Sequence, residues 1–514
     1  MCGILLTTKI INDLEDIIKY LKNRGPDVTS HKIHNNINFI HTLLSMTGNE
    51  HTIQPFYYSE EDIIILFNGE IYNFKDFGDL NSDGECIIKS YLKYGNSFIR
   101  YLNGEFAIIL ADFKKDLLIF SSDIFCIKPL WFAVEEQHIG ISSYKSCLEK
   151  LNFKNIIEMN PNTTIFMNIK TFEIIDKTTV YDFDLNQFKQ TYDDWNKSIE
   201  NSIMNRIKHA KHEIFIGLSS GYDSGLIACI LNNLKINYTA YTIYGSENTN
   251  IIDDRIKLGG TSKILNINPE DFIKQKEYLK NNCESYNLFI DNDEEKNLKL
   301  WIQKKDELLK KDNYTQNELL SIDNKIRSYK NAFEKANIKS LYEDNGAVGL
   351  GLICEIARPN NQLIYLTGSG ADEIFSDYGW KGIKHYRHST IGGLFPNDLS
   401  KVFPWRNFFG NTQKAYLRKE EYIAGTYGIE GRYPFLDKYV VQEFLWLKPE
   451  LKNKYYKAPI YNYLLLNNYP FDLNKKIGFN CGLSSGSEEN ITNKIATRNT
   501  VGETSDPTLI VTNI

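Results

Sequence analysis

The hydrophobic rhythm of the chain changes near residue 180. Before that point short β-rich runs alternate with turns, at 63–67, 106–111, 117–121 and 164–167. Helical periodicity appears at 11–22 and 85–94. This pattern predicts a sandwich-like α/β unit without the long crossover helices of βαβ repeats. A polar stretch with scattered aromatics, at about 181–194, separates it from a second pattern. There, a helix over about 195–210 leads into the apolar run Ile214-Phe215-Ile216-Gly217-Leu218, a glycine-containing turn and another helix. Further strands are expected at 238–244, 263–267 and 363–367, with helices between them. Strand–helix alternation of this kind predicts an open parallel sheet that takes its ligands at the strand carboxyl ends.

Residues 291–340 are dense in Asp, Glu, Lys and Asn at helical spacing, with few apolar anchors. They read as an inserted, solvent-facing helical hairpin. From Cys481 onward Ser, Thr, Asn and Gly dominate, and residues 481–514 are expected to form a disordered tail. No internal repeats occur.

Composition narrows the class. A length of 514 residues predicts two to four domains, and 42% hydrophobic residues suffice for packed cores. Lys and Arg number 59 against 65 Asp and Glu, a net charge of −6. That balance leaves no electrostatic footprint for nucleic acid or an anionic membrane. No apolar run is long enough to span a bilayer, and the first residues lack a signal-peptide pattern, so a cytoplasmic protein is expected. The eight cysteines are spread out and never form a C-x-x-C pair, which argues against a disulfide scaffold or a zinc site on paired thiols. The H-x-x-H spacings His31/His34 and His385/His388 lack a third ligand nearby and read as surface or capping histidines.

Two constellations could carry chemistry. The first begins at Cys2, which becomes the terminal residue once Met1 is removed. Its own α-amine can then serve as base for its thiol. Downstream lie Arg24-Gly25-Pro26-Asp27 and Phe67-Asn68-Gly69-Glu70-Ile71-Tyr72-Asn73. Asn68-Gly69 is expected to be a turn at a strand end, either an oxyanion hole for an acyl intermediate or simply a hairpin turn. Ser82-Asp83-Gly84-Glu85 places a carboxylate at a helix start, where capping is the simpler role.

The second constellation is Leu218-Ser219-Ser220-Gly221-Tyr222-Asp223-Ser224-Gly225, directly after a buried strand and opening a helix. Small residues let backbone N–H groups crowd a phosphate at the positive helix end, and Asp223 could hold Mg²⁺ on it. A later strand ends in Thr367-Gly368-Ser369-Gly370-Ala371-Asp372-Glu373, a second small-residue loop with two carboxylates at the same sheet edge. Two such loops suggest a nucleotide with metal-bridged phosphates.

Together these motifs resemble the glutamine-dependent asparagine synthetases, in order from Met1 to about residue 465. The resemblance implies an N-terminal-nucleophile αββα sandwich, the class II glutaminase domain, over 1–182. A parallel-sheet α/β ATP-pyrophosphatase domain over 195–480, carrying the 291–340 insertion, would follow. It implies Cys2 as nucleophile, Asn68 and Gly69 as oxyanion hole, and Glu70 and Asp83 gripping the substrate's ammonium group. In the second half Leu218, Ser219, Ser220, Gly221, Asp223 and Ser224 correspond to the S-G-G-x-D-S loop that binds ATP and pyrophosphate. Gly368, Ser369, Gly370 and Asp372 fall in G-E-G-S-D-E, and Asp223 and Asp372 would hold Mg²⁺. The run from Gly428 to Asp437 looks like G-V-E-A-R-x-P-F-L-D, with Arg432 as a substrate-binding residue, and Lys457 matches a lysine near the ATP phosphates. The substrates implied are glutamine, aspartate and ATP, and a homodimer is the family's common state.

Three departures stand out. Leu43 replaces an arginine that clamps the α-carboxylate of glutamine, a loss on the order of 2–4 kcal/mol unless another donor, such as Lys32, substitutes. Ser220 replaces a glycine of the pyrophosphate loop, tolerable where φ is negative. Ser369 replaces a glutamate that acts as base for ammonia, which a serine cannot do at neutral pH. Glu343 or Asp344 is the expected stand-in. The leading expectation is therefore glutamine-hydrolysing synthesis of asparagine. The alternatives are ATP-dependent amidation or ring closure of another acid, and a non-catalytic relative with a weakened glutaminase.

Overall fold

A computed structural model describes residues 1–47, 52–243, 247–289, 293–310, 314–335, 338–386 and 388–472. The expectation of a disordered 481–514 tail falls outside the described residues.

The first part is built from two six-stranded antiparallel sheets. One runs Ile157–Glu158, Trp131–Glu135, His138–Ser142, Gly3–Thr7, Ile37–Leu43 and Val28–His34 in spatial order. The other runs Ile174–Thr179, Thr163–Asn168, Leu117–Ser122, Gly104–Asp112, Ile63–Ile71 and Phe56–Tyr58. Alternate side chains explain how they stack. Ile4, Leu6, Phe39, Ile64, Leu66, Ile109 and Phe120 fill the space between the sheets. Leu5, Ile40, Ile63, Ile65 and Ile108 face outward against Leu21, Ile87, Ile88 and Leu148 of the flanking helices. Central strands buried on both faces read as continuous apolar runs, which is why Ile63–Ile71 shows no polar alternation over its first five residues. The result is an αββα sandwich. The helix expected at 11–22 is instead two short ones, Leu14–Ile17 and Lys19–Arg24, broken at Ile18.

The second part holds a five-stranded sheet in the order Thr261–Leu265, Thr239–Ile243, Glu213–Gly217, Gln362–Leu366 and Glu430–Arg432, every pair parallel. Helices Asp193–Ile207, Tyr222–Asn233, Thr249–Leu258 and Asn345–Ala357 accompany it. The chain order reverses across Glu213–Gly217, since its next strand lies on one side and Gln362–Leu366 on the other. An open parallel sheet forms its ligand crevice at such a switch point, here between the loops at 218–221 and 367–370. Helices Asp293–Leu309 and Gln316–Lys335 form an antiparallel hairpin, tied by Lys305 and Asp323 at 2.8 Å. Its base is closed by pairing of Asn287–Phe289 with Ile338–Ser340. No helix among the described residues is long and apolar enough to cross a membrane.

Candidate active site

The thiol centre gathers at the start of the strand Gly3–Thr7. Cys2 is buried, and the Nε of Arg24 donates to its carbonyl at 2.8 Å. Its backbone N–H donates to Asn68 Oδ1 at 3.0 Å, while Asn68 Nδ2 faces Ser143 Oγ at 3.5 Å. Burial pushes the thiol up to about 11, although the neighbouring terminal ammonium pulls the other way. Asp27 Oδ2 accepts from the Ser45 N–H at 2.8 Å and so fixes the turn after Arg24.

Asn68-Gly69 is not a turn. Both residues lie within the continuous strand Ile63–Ile71, with Gly69 opposite Phe106. Glycine is required there because φ is +137° and a Cβ would stand 1.9 Å from the Glu105 carbonyl oxygen. Close approach of two central strands, not a hairpin, explains the motif. Immediately beyond, Glu70 accepts from Thr47 Oγ1 at 2.8 Å and Asp83 accepts from the Ile71 N–H at 2.9 Å. Burial, with the charge of Asp83, pushes the Glu70 carboxyl up to about 8, and burial raises Asp83 to about 7. Two destabilised carboxylates side by side form a ready receptor for a cation.

Lys32 is not the replacement for the arginine missing at Leu43. Val28 is the register partner of Leu43, and Lys32 lies four residues further along that strand, about 13 Å away. Its ammonium stacks on the Tyr57 ring instead.

Arg432, expected only as a substrate-binding residue, belongs by sequence to the second part. It lies instead at the thiol centre, where its Nη2 is 3.4 Å from Glu70 Oε1 and its Nε donates to Glu430 Oε1 at 2.7 Å. Glu430 in turn holds the Met1 ammonium at 2.7 Å. Residues 430 and 432 are two apart on one strand, so both side chains leave the sheet on the same face. The edge strand of the parallel sheet thereby completes the pocket of the other part.

The two small-residue loops meet at the sheet's switch point. Ser219 Oγ and Ser224 Oγ lie 2.8 Å apart across the first loop, and the Gly221 N–H donates to Ser219 Oγ at 3.1 Å. Leu218 is anchored by its N–H to the Tyr241 carbonyl at 2.8 Å. Arg255 donates from beneath to the carbonyls of Ser219 and Gly221. Ser220 does not have positive φ, which is how its side chain is accommodated in place of glycine. Its N–H and hydroxyl both donate to Glu247. Gly368 touches the first loop so closely that a Cβ would come within 2.8 Å of Asp223 Cβ. Gly370, at φ +96°, caps the short helix Ala371–Phe375 that carries Asp372.

Lys457 joins these loops. Its Nζ donates to both oxygens of Asp223 at 2.7 Å and pairs with Asp372 Oδ1 at 2.8 Å. Tyr456 donates to the same Asp372 oxygen at 2.7 Å. The donor set suits a hard divalent cation that takes one or two carboxylates and its remaining oxygens from phosphate. Glu373 points away, to the Tyr378 hydroxyl, and burial raises it to about 7.

Both expected stand-ins for a glutamate at Ser369 have capping partners instead. Glu343 accepts from the Ser340 N–H in a capping box, and Asp344 caps the helix Asn345–Ala357 at the Ala347 N–H. The carboxylate at Ser369 belongs to Glu420 of helix Thr412–Thr426, at 2.7 Å from Ser369 Oγ.

Sequence reading also missed the buried charges between the two parts. Glu421 takes Arg24 at 2.6 Å and Lys128 at 2.9 Å. Arg206 pairs with Glu105 at 2.8 Å and Asp437 at 3.1 Å. Despite burial, Lys128 and Arg24 hold the Glu421 carboxyl below the usual range. The only signal was charge among otherwise apolar stretches, and solvation is the ordinary reading of that.

Residues 1–188 match the family described as "Glutamine amidotransferase domain". Over 483 residues the chain is 24% identical to a protein of Methanocaldococcus jannaschii whose name assigns it as a glutamine-hydrolysing asparagine synthetase, covering 88% of this chain and 75% of the relative. Asparagine synthetase (glutamine-hydrolysing) 1 of Saccharomyces cerevisiae is 29% identical over 255 residues, covering 45% of this chain and 43% of the yeast protein. The amidase chyE of Penicillium rubens is 34% identical over 151 residues, covering 27% and 22%. The chain thus spans less than half the length of the latter two.

Proposed function

We propose that this homologue of the glutamine-hydrolysing asparagine synthetases, with its glutamine amidotransferase domain at 1–188, makes asparagine from aspartate, ATP and glutamine. Residues 1–182 house the glutaminase, and 195–480 house the ATP-dependent synthetase.

Removal of Met1 frees the α-amine of Cys2 and vacates the pocket beside Glu430. That amine takes the thiol proton, and Cys2 Sγ attacks the side-chain amide carbon of glutamine. Glu70 and Asp83 receive the substrate ammonium, and Arg432 is the nearby guanidinium for its carboxylate in the absence of an arginine at 43. Asn68 and the Gly69 N–H stabilise the oxyanion. Ammonia leaves, and water resolves the thioester to glutamate.

In the synthetase half, the backbone and hydroxyls of Ser219 to Ser224 bind the departing pyrophosphate at the start of helix Tyr222–Asn233. Mg²⁺ held by Asp223 and Asp372 would neutralise phosphate charge. Lys457 orients both carboxylates and turns to the phosphates when they arrive. The aspartate β-carboxylate attacks the α-phosphorus and releases pyrophosphate. Ammonia then displaces AMP to give asparagine.

The observation that carries this reading is the convergence of Asp223, Asp372 and Lys457 at the sheet's switch point, in the same chain as Cys2. The test is to supply MgATP, aspartate and either glutamine or ammonium, and to follow AMP, pyrophosphate and asparagine together. Equal AMP and asparagine from both nitrogen sources supports the reading. Pyrophosphate only with a different acid would shift it to amidation or ring closure of that acid. No turnover with any acid would leave the chain a non-catalytic relative.

A further inference from the structure

Glu420 belongs to neither phosphate loop, yet it reaches the second one from helix Thr412–Thr426. Its Oε1 accepts from Ser369 Oγ at 2.7 Å and its Oε2 accepts from Thr367 Oγ1 at 2.8 Å. Both donors are neutral hydroxyls. Asp223 and Asp372 are engaged by Lys457, and Glu373 turns to Tyr378. Glu420 is held in place by hydroxyls at the second loop itself, with no lysine or arginine ion pair among the described residues.

Its direction matters as well. The next residue, Glu421, grips Arg24, whose Nε donates to the Cys2 carbonyl. Helix Thr412–Thr426 thus reaches the second loop through Glu420 and, one residue on, the backbone of Cys2 through Glu421 and Arg24. Lys419 and Glu421 on its own helix, Tyr365 and Cys354 behind the second loop, and Tyr433 of the edge segment are the titratable groups around it.

We propose that Glu420, aligned by Ser369 and Thr367, is the general base of amide formation. The proposal rests on the function proposed above. As the ammonia nitrogen bonds to the acyl carbon of the adenylate, the carbon–oxygen bond to AMP breaks and AMP leaves with the electron pair. The surplus proton on nitrogen passes to the Glu420 carboxylate, leaving a neutral amide. Burial raises the carboxyl of Glu420, which brings it nearer the operating pH of such a base.

The test compares Glu420→Gln with the unaltered chain in two reactions. Aspartate-dependent exchange of labelled pyrophosphate into ATP reports adenylation, and ammonium-dependent asparagine formation reports the complete reaction. The expected result is exchange within a few-fold of the parent and amide formation down about 100-fold or more. Hydroxylamine, a stronger nucleophile whose adduct sheds its proton more easily, should lose much less. Adding Ser369→Glu to Glu420→Gln should restore part of the ammonium rate. Amide formation within a few-fold of the parent, or exchange and amide formation falling together, would overturn the assignment. Absence of exchange in the unaltered chain would sink the proposed function and this assignment with it, so the two failures are distinguishable.

Discussion

Glu420 and Glu421 are consecutive residues whose carboxylates serve different centres. Glu420 takes the Ser369 hydroxyl at 2.7 Å at the second small-residue loop, and Glu421 takes Arg24 Nη2 at 2.6 Å on the thiol side. One turn of helix Thr412–Thr426 therefore couples the position of the loop at 367–370 to that of Cys2. Relative movement of the two parts would have to break a buried ion pair.

That coupling has an energetic consequence. Glu421→Ala leaves Arg24 and Lys128 buried without their shared carboxylate. Breaking a buried pair from one side costs about 3–5 kcal/mol, because the remaining charges stay desolvated. Denaturant unfolding should show a loss of that size, and glutaminase and synthetase activities should fall together.

Lys457→Met should act on one centre only. The bridge between Asp223 and Asp372 disappears, and pyrophosphate release should fall about 100- to 1,000-fold, the usual effect of losing one preorganised donor. Glutamine hydrolysis, measured as glutamate formed, should stay within a few-fold of the parent.

Cys2→Ala should reverse that pattern. Glutamine-dependent product should vanish while ammonium-dependent product continues. Mass spectrometry of the active protein should find Met1 absent. A variant that retains residues ahead of Cys2 should behave like Cys2→Ala, since the buried Cys2 N–H bonded to Asn68 would remain an amide and not a base.

Glu70 and Asp83 give a pH signature with a defined sign. Both are raised in the folded protein, to about 8 and about 7, by burial and, at Glu70, by the adjacent Asp83 charge. The unfolded chain then binds fewer protons than the folded one between about pH 4 and 8, so these groups favour folding at low pH and that contribution is lost as pH rises through their folded values. Without glutamine, thermal stability should decline across this window, and Glu70→Gln should flatten the decline. Glutamine affinity should run the opposite way and strengthen as the pair ionises to meet the substrate ammonium.

Much of the fold was legible because the three large sheets bury their central strands on two faces, and apolar runs such as 214–218 and 106–111 mark them directly. Cys2 and the Ser219–Ser224 loop could be singled out because a possible terminal amine or a run of small residues leaves a local signature, whereas Lys457, now seen 2.7 Å from Asp223, came only from the family resemblance. The place of Arg432 was not legible, because its motif lies in the second part and nothing local tells that its strand edge faces the first, where its Nη2 is 3.4 Å from Glu70 Oε1. Asn68-Gly69 reads as a turn by residue type, and only the partner strand's carbonyl at 1.9 Å from a would-be Cβ shows otherwise. Glu420 was illegible for the same reason. It sits 51 residues from the serine it serves, and a glutamate in a charged helix looks solvated.

The most direct measurement supplies glutamine labelled with ¹⁵N in its amide, together with excess unlabelled ammonium, MgATP and aspartate. Two centres joined through one buried interface should pass the nitrogen internally, so asparagine should carry label well above the fraction expected from free mixing. Asparagine labelled only at the bulk ratio, or no asparagine at all, would contradict the account.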